Sequence, residues 1–256
     1  LNDSMGQIAD GAGTGILYAA RAGYRAAEAS PEALGLTFRA QESATQVAYS
    51  AFSKMGKTVT VASAGYLSAG DYLAMVENAG FAQRVAVGRV TGIVTNIVTV
   101  DGWDGAQDSM NASPSGGDDY VYRLGSAAIA FGSVTAFAHN TAVAVISVGS
   151  TATNGYTVYI QGDGSLRSGA TTIASVVDGT VSLGSEEYGM SVTGTHAFGA
   201  GVDTAVTSSQ RAIEQSFAAS FAIGDRVGMV FKLSTTDLTP PGTYGQTIYS
   251  TLTANY

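Results

Sequence analysis

The chain has 256 residues, a net charge of −8 and no cysteine. This length suits one large β domain or two small sandwiches with a real core. The missing cysteines exclude disulfides, thiolate metal sites and thiol catalysis, and an acidic chain without a basic stripe is no partner for nucleic acid.

Residues 1–23 form a glycine-rich N-terminal extension (Gly6, Gly11, Gly13, Gly15). Gly11-Ala12-Gly13-Thr14-Gly15 is not a phosphate loop: Ile16 stands where the dinucleotide fingerprint needs glycine, and no Gly-Lys-Ser/Thr follows. In an extended segment Ile16, Tyr18, Ala20 and Ala22 share one face, with Gly15 and Gly23 as flanking hinges. These four residues are the candidate assembly interface, a strand donated to another copy.

A β-rich region spans 24–115. Ser30-Pro31-Glu32 has the form of a helix start. Ala44, Val47, Ala48, Ala51, Phe52 and Met55 fall on one helical face, with Gly56 as the stop, which predicts one short helix over 41–55. Val59 and Val61 then alternate with Thr58 and Thr60. The β-branched run from Arg84 to Val100 predicts two strands broken near Gly88 or Gly92. Asp101 to Asp119, rich in Asp, Gly, Ser and Asn, reads as a linker or long loop.

From 116 to 256 the pattern is that of a β-sandwich. Tyr156, Val158 and Ile160 alternate with Thr157, Tyr159 and Gln161, between the turn pairs Asn154-Gly155 and Asp163-Gly164. Val227, Met229, Phe231 and Leu233 alternate with Arg226, Gly228, Val230 and Lys232. The last strand sets Tyr244, Ile248, Leu252 and Tyr256 against Thr247, Tyr249, Thr251 and Thr253. Such repeated period-two patterning predicts a mainly β fold of antiparallel sheets packed face to face, a β-sandwich with the one short helix in the N-terminal half.

Chemistry-bearing residues are few. His139 and His196 have no Gly-x-Ser-x-Gly serine to serve. Glu186 and Glu187, adjacent on a strand, point to opposite faces and make a poor acid–base pair. The expectation is a protein that is not an enzyme and needs no cofactor. Asp101, Asp104 and Asp108 are the candidate metal ligands, for calcium if any, with a solvated acidic loop as the alternative. Asn2-Asp3-Ser4 and Asn111-Ala112-Ser113 are formal glycosylation sequons, the second followed by Pro114. Thirteen tyrosines and the single Trp103 fit either a sugar-binding face or core edges and subunit contacts.

Three stretches carry a resemblance: Ile129 to Gly164, Gly184 to Val192 (GSEEYGMSV) and Pro240 to Tyr256 (PPGTYGQTIYSTLTANY). They resemble secreted bacterial surface and pilus-like β-sandwich subunits, and the ending is similar to the final strand of spore-coat-U-like and chaperone–usher-like subunits. Leu67-Ser68-Ala69-Gly70-Asp71 and Glu77-Asn78-Ala79-Gly80 resemble a strand pair of TasA-like surface sandwiches. The resemblance covers about half the chain and implies an extracellular antiparallel sandwich, immunoglobulin-like or jelly-roll, made for assembly or adhesion; the cysteines frequent in coat-U-like subunits are missing here.

Charged residues make up 12% of the chain, about half of the ~25% usual in soluble domains. So little charge gives weak self-repulsion and suits a subunit covered by its neighbours. Leu1 opens the sequence without a basic-then-apolar leader, as after signal cleavage or trimming. No apolar run reaches the roughly 18 residues of a membrane span. The functional expectation is a structural subunit of an extracellular filament, pilus or cell-surface coat, a homopolymer built by strand complementation. The alternatives are a monomeric adhesin or carbohydrate-binding sandwich, which would meet a glycan or host surface, and a viral capsid or tail protein.

Overall fold

The computed structural model describes residues 33–114 and 117–255. The expected donor segment, 1–23 with Ile16, Tyr18, Ala20 and Ala22, lies outside the described residues. The strands are β1 (Leu34–Gln41), β2 (Val47–Ser53), β3 (Thr58–Val61), β4 (Tyr72–Glu77), β5 (Arg84–Val94), β6 (Ile97–Val100), β7 (Asp104–Gly105) and β8 (Tyr120–Ser126). The second half adds β9 (Asn140–Ser150), β10 (Tyr156–Gly162), β11 (Arg167–Ser168), β12 (Thr171–Thr172), β13 (Glu187–Thr193), β14 (Arg211–Ser216), β15 (Ser220–Ser234) and β16 (Ile248–Ala254). Among the described residues the only helical element is a 3₁₀ turn, Ser43–Thr45.

Six strands close into an antiparallel ring, β8–β2–β3–β6–β5–β4 and back to β8. Alternate residues point inside it, among them Val59 and Val61, Leu73 and Met75, and Val98 and Val100. Closure satisfies the ladder on both sides of each strand and leaves no edge. The rest is a β-sandwich. One sheet, β13–β15–β9–β1, faces a second, β14–β10–β16. Between them Tyr156, Val158, Ile160, Ile213 and Leu252 meet Leu36, Ala144, Ile146, Met229 and Phe231. A third cluster glues ring to sandwich: Ala74, Val76, Val85 and Val87 on the ring's wall against Val143, Val145 and Val230.

This layering explains the sequence pattern. β4 and β9 are covered on both faces, so they read as near-continuous apolar runs (LAMV in β4, AVAVISV in β9) rather than as alternation. β3 alternates Thr with buried Val, and β6 sets Ile97 and Thr99 outward against buried Val98 and Val100.

The expected helix over 41–55 is not there: the segment is the 3₁₀ turn followed by β2. A bulge between Tyr49 and Ala51 shifts the register against β3, so buried Tyr49 and Phe52 lie three apart. A bulge converts a period of two into a local spacing of three, which mimics a helix. Met55, assigned to the same helical face, is 91% exposed in the β2–β3 turn.

The run 84–100 does hold two strands, but the break is at Thr95-Asn96, where Thr95 takes φ 57° and the Asn96 amide donates to Ala62 O at 3.1 Å. Gly88 is instead a close-approach glycine: a Cβ there would lie 3.0 Å from both Gly102 O and Val100 Cγ1. Asp101 to Asp119 is not a linker between domains, since β8 beyond it closes the ring with β2 and β4. Likewise β1, placed by sequence in the N-terminal region, belongs to the sandwich, pairing with β9 from Leu34↔Ser150 to Ala40↔Ala144. The ring is an insertion between two neighbouring sandwich strands.

Candidate functional site

The sandwich has four lateral margins, and segments outside its two sheets cover two of them. Along β13, Met190 and Thr204 exchange backbone hydrogen bonds of 2.9 and 2.8 Å, and Val176 N–H donates to Tyr188 O at 2.9 Å. Along β14, Phe198 N–H donates to Ile213 O at 2.8 Å and Gln215 N–H to His196 O at 3.0 Å. The third margin, β1, is met by β8 only at its Ala40–Gln41 end among the described residues.

The fourth margin is β16, which among the described residues pairs with β10 alone. Asn255 N–H donates to Gly155 O (3.0 Å) and Asp163 N–H donates to Thr247 O (2.9 Å), which fixes the phase of the ladder. In an antiparallel pair the N–H and C=O of successive residues point to opposite sides. Odd-numbered residues of β16 therefore face β10. Ile248, Ser250, Leu252 and Ala254 aim their N–H and C=O outward, where no partner strand lies among the described residues.

Beside this edge lies a cavity of about 1040 Å³. Phe38, Ile129, Phe131, Leu166, Tyr244 and Ile248 give it an apolar wall, and none of its lining side chains is charged. Phe131 sits edge-on to Tyr188, ring centres 6.3 Å apart. The segment leading into β16 is built to stay clear of the ladder: Pro240 and Pro241 have no N–H to offer, and the Tyr244 hydroxyl donates to Pro240 O at 2.7 Å. The Gln246 amide anchors the strand's start on Val206 O at 2.8 Å and on Gly164 O. The result is an open ladder beside an uncharged apolar groove, the arrangement that takes an added extended chain.

The candidate metal ligands are arranged around arginine and lysine. Asp101 and Asp104 converge on the buried Arg226 of β15, with Nη1 to Asp101 Oδ1 at 2.6 Å and Nε to Asp104 Oδ2 at 2.9 Å. Burial opposes the guanidinium charge, but Asp104 and Asp101 outweigh it and hold its pKa above the usual arginine value. Asp108 is elsewhere, paired at the surface with Lys54. Among the described residues no group of three or more His, Asp or Glu could hold a metal ion. This clamp ties the loop after β6 of the ring to the sandwich.

Trp103 is 8% exposed and stacks edge-on against Phe52 at 5.4 Å, so its face is not open to a sugar. Asn111 of the second sequon is exposed, its Oδ1 accepting from Ser113 N–H at 3.1 Å. His139 stacks edge-on on Phe81, while His196 Nε2 lies 3.8 Å from Asp225 Oδ2.

Near His196 is a polar chain that sequence reading did not single out. Tyr156 Oη lies 3.0 Å from Glu214 Oε1 and 2.7 Å from Asp225 Oδ2. A phenol has one proton to donate, so two ionised carboxylates cannot both be satisfied. Glu214 is fully buried, and its Oε2 has no hydrogen-bond partner among the described residues. Burial raises its pKa to about 8, with Asp225 and Asp104 adding to the shift and the Tyr156 hydrogen bond opposing it. Glu214 is therefore the protonated member, donating to Tyr156, which donates to Asp225. The only sequence signal was a glutamate in a strand that otherwise reads as ordinary.

Compared with family models, curated proteins and solved structures, the chain matches none. Among the described residues no helix is long and apolar enough to cross a membrane.

Two outcomes test these networks. Replacing Arg226 by Met leaves Asp101 and Asp104 uncompensated at the ring–sandwich junction and is expected to cost about 3 kcal/mol, read by urea denaturation. Glu214 has a folded pKa above its unfolded value of 4.5. Its contribution is complete below pH 4.5 and is lost as pH rises through about 8. Glu214→Gln should thus flatten the fall in thermal stability between those limits, by on the order of a few kcal/mol; an unchanged pH profile would refute the assignment.

Proposed function

We propose that the protein is a structural subunit of an extracellular filament or surface coat, in which copies join by adding a strand of one to the β16 margin of the next. The observation that supports this is the row of outward N–H and C=O groups on Ile248, Ser250, Leu252 and Ala254 beside an uncharged apolar groove. Each ladder bond made there contributes roughly 0.5–1.5 kcal/mol, and covering the groove wall adds about 25 cal/mol per Å².

The donor is the N-terminal segment of a neighbouring copy, with Ile16, Tyr18, Ala20 and Ala22 facing the groove. Thr14 to Ala20 contains no charged residue, which matches a lining without charge. In an extended segment Arg21 falls on the face opposite Ile16, Tyr18, Ala20 and Ala22. The low overall charge lets many copies pack without strong repulsion.

Deleting residues 1–23 is expected to abolish polymers while leaving a folded monomer, seen by negative-stain microscopy and circular dichroism. A proline at Ser250 removes an outward N–H and spares the bonds to β10. Ser250→Pro should therefore block assembly while the sheet fold, read by circular dichroism, is retained. Filaments of normal length from either variant would reject strand addition at β16.

A further inference from the structure

We infer, on the reading that β16 accepts a strand, that residues 14–22 fill the groove of their own chain in the monomer and exchange into a neighbour's groove in the polymer. Three observations carry this: where the chain emerges, the shape of the groove and the length of the connection.

Ala33, where the described chain begins, lies at the Ala254 end of β16. Ala33 N–H donates to Thr151 Oγ1 at 2.8 Å and Thr151 N–H to Ala33 O at 3.0 Å. Four residues on, Gly155 O accepts from Asn255 N–H at 3.0 Å, and Tyr156 stands opposite Ala254. The short Thr151–Gly155 turn thus joins the start of β1 to the end of β16.

The cavity lies at the other end. Its lining includes Thr247 through Ser250 but not Leu252 or Ala254, and Leu252 is itself part of the sandwich core. A strand added to β16 therefore needs bulk beside Ile248 and Ser250 and small side chains beside Leu252 and Ala254. The donor face has this order, Ile16 and Tyr18 first, Ala20 and Ala22 last. Matching bulk to space lays the segment parallel to β16 and brings Ala22 to the end where Ala33 sits.

Residues 23 to 32 are then the whole connection, ten residues by count. Ten residues reach ~33 Å when extended, and closing a loop of that length is entropically cheap. The same linker can carry the segment to an adjacent copy, so one element serves both arrangements with the same contacts. Exchange of an identical element between copies is a low-cost route to assembly. Here its balance is set by linker length and protein concentration, because self-closure competes as an effective concentration.

The chain has no cysteine, so introduced pairs report cleanly. Full-length protein carrying Ala22→Cys with Ala254→Cys, and separately Ala20→Cys with Ala254→Cys to cover a register two residues away, is separated into monomer and polymer, oxidised and run on non-reducing gels. The expected result is an intramolecular bridge in the monomer and a reducible ladder from the polymer. A ladder from the polymer with unbridged monomer for both pairs would overturn self-closure and leave strand addition standing. No bridge in either fraction would overturn both. Removing residues 26–29 from the linker should also shift the population from monomer to polymer at equal concentration; a shift toward monomer or no shift counts against self-closure.

Discussion

All layers of the protein meet at the ladder between β9 and β15, which runs from Val148↔Asp225 to Asn140↔Leu233. One face of this pair, with Ala144, Ile146, Val227, Met229 and Phe231, forms half of the sandwich core. The other face, with Val143, Val145 and Val230, receives the wall of the ring. Two strands with both faces buried and both sides paired are shielded from water in every direction, so their hydrogen bonds and their side chains are mutually dependent. β1 and β13 then flank the pair, and the remaining elements pack outward from it.

In so lightly charged a chain, the buried charges are placed where layers must be held in one relation. Arg226 leaves β15 to meet Asp101 and Asp104 from the ring. Apolar contact alone is tolerant of sliding, whereas a guanidinium with two carboxylates at fixed distances has one good geometry. On the other side of the same strand, Asp225 is linked through Tyr156 to Glu214, which joins β15 to the opposing sheet. A third buried pair, Lys232 with Asp203 at 2.7 Å, secures the segment that covers β13.

The treatment of sheet margins distinguishes the two halves. The ring closes on itself and has no edge to protect. In the sandwich, the segments at 174–176 and 204 cover β13 and that at 196–198 covers β14. Against this, the margin of β16 stands out because it has no partner strand among the described residues, and exposed ladder groups beside apolar surface invite pairing with other chains. The proline-rich approach, the Tyr244 clasp on Pro240 and the Gln246 anchor fix the course of the chain into that strand.

The amino-acid sequence by itself determined the strands whose neighbours are near in the chain or whose one face is solvated. Val59 and Val61, the run from Tyr156 to Ile160, and the alternation from Val227 to Leu233 are inward residues as their period of two requires. Asn154-Gly155 is a turn because Gly155 adopts φ 80° with Ser216 O only 2.0 Å from where a Cβ would sit. What only the tertiary structure decided is which strand lies beside which. The bulge that disguised β2 as a helix depends on its register with β3. The aspartates at 101 and 104 became a clamp because Arg226, over a hundred residues away, is buried between them. β1 joined the sandwich across the inserted ring, and among the described residues no strand pairs with the outer side of β16. Periodicity is a property of adjacent residues; pairing partners, burial of charge and exposed edges are set by contacts between residues far apart in the chain, which no local pattern records.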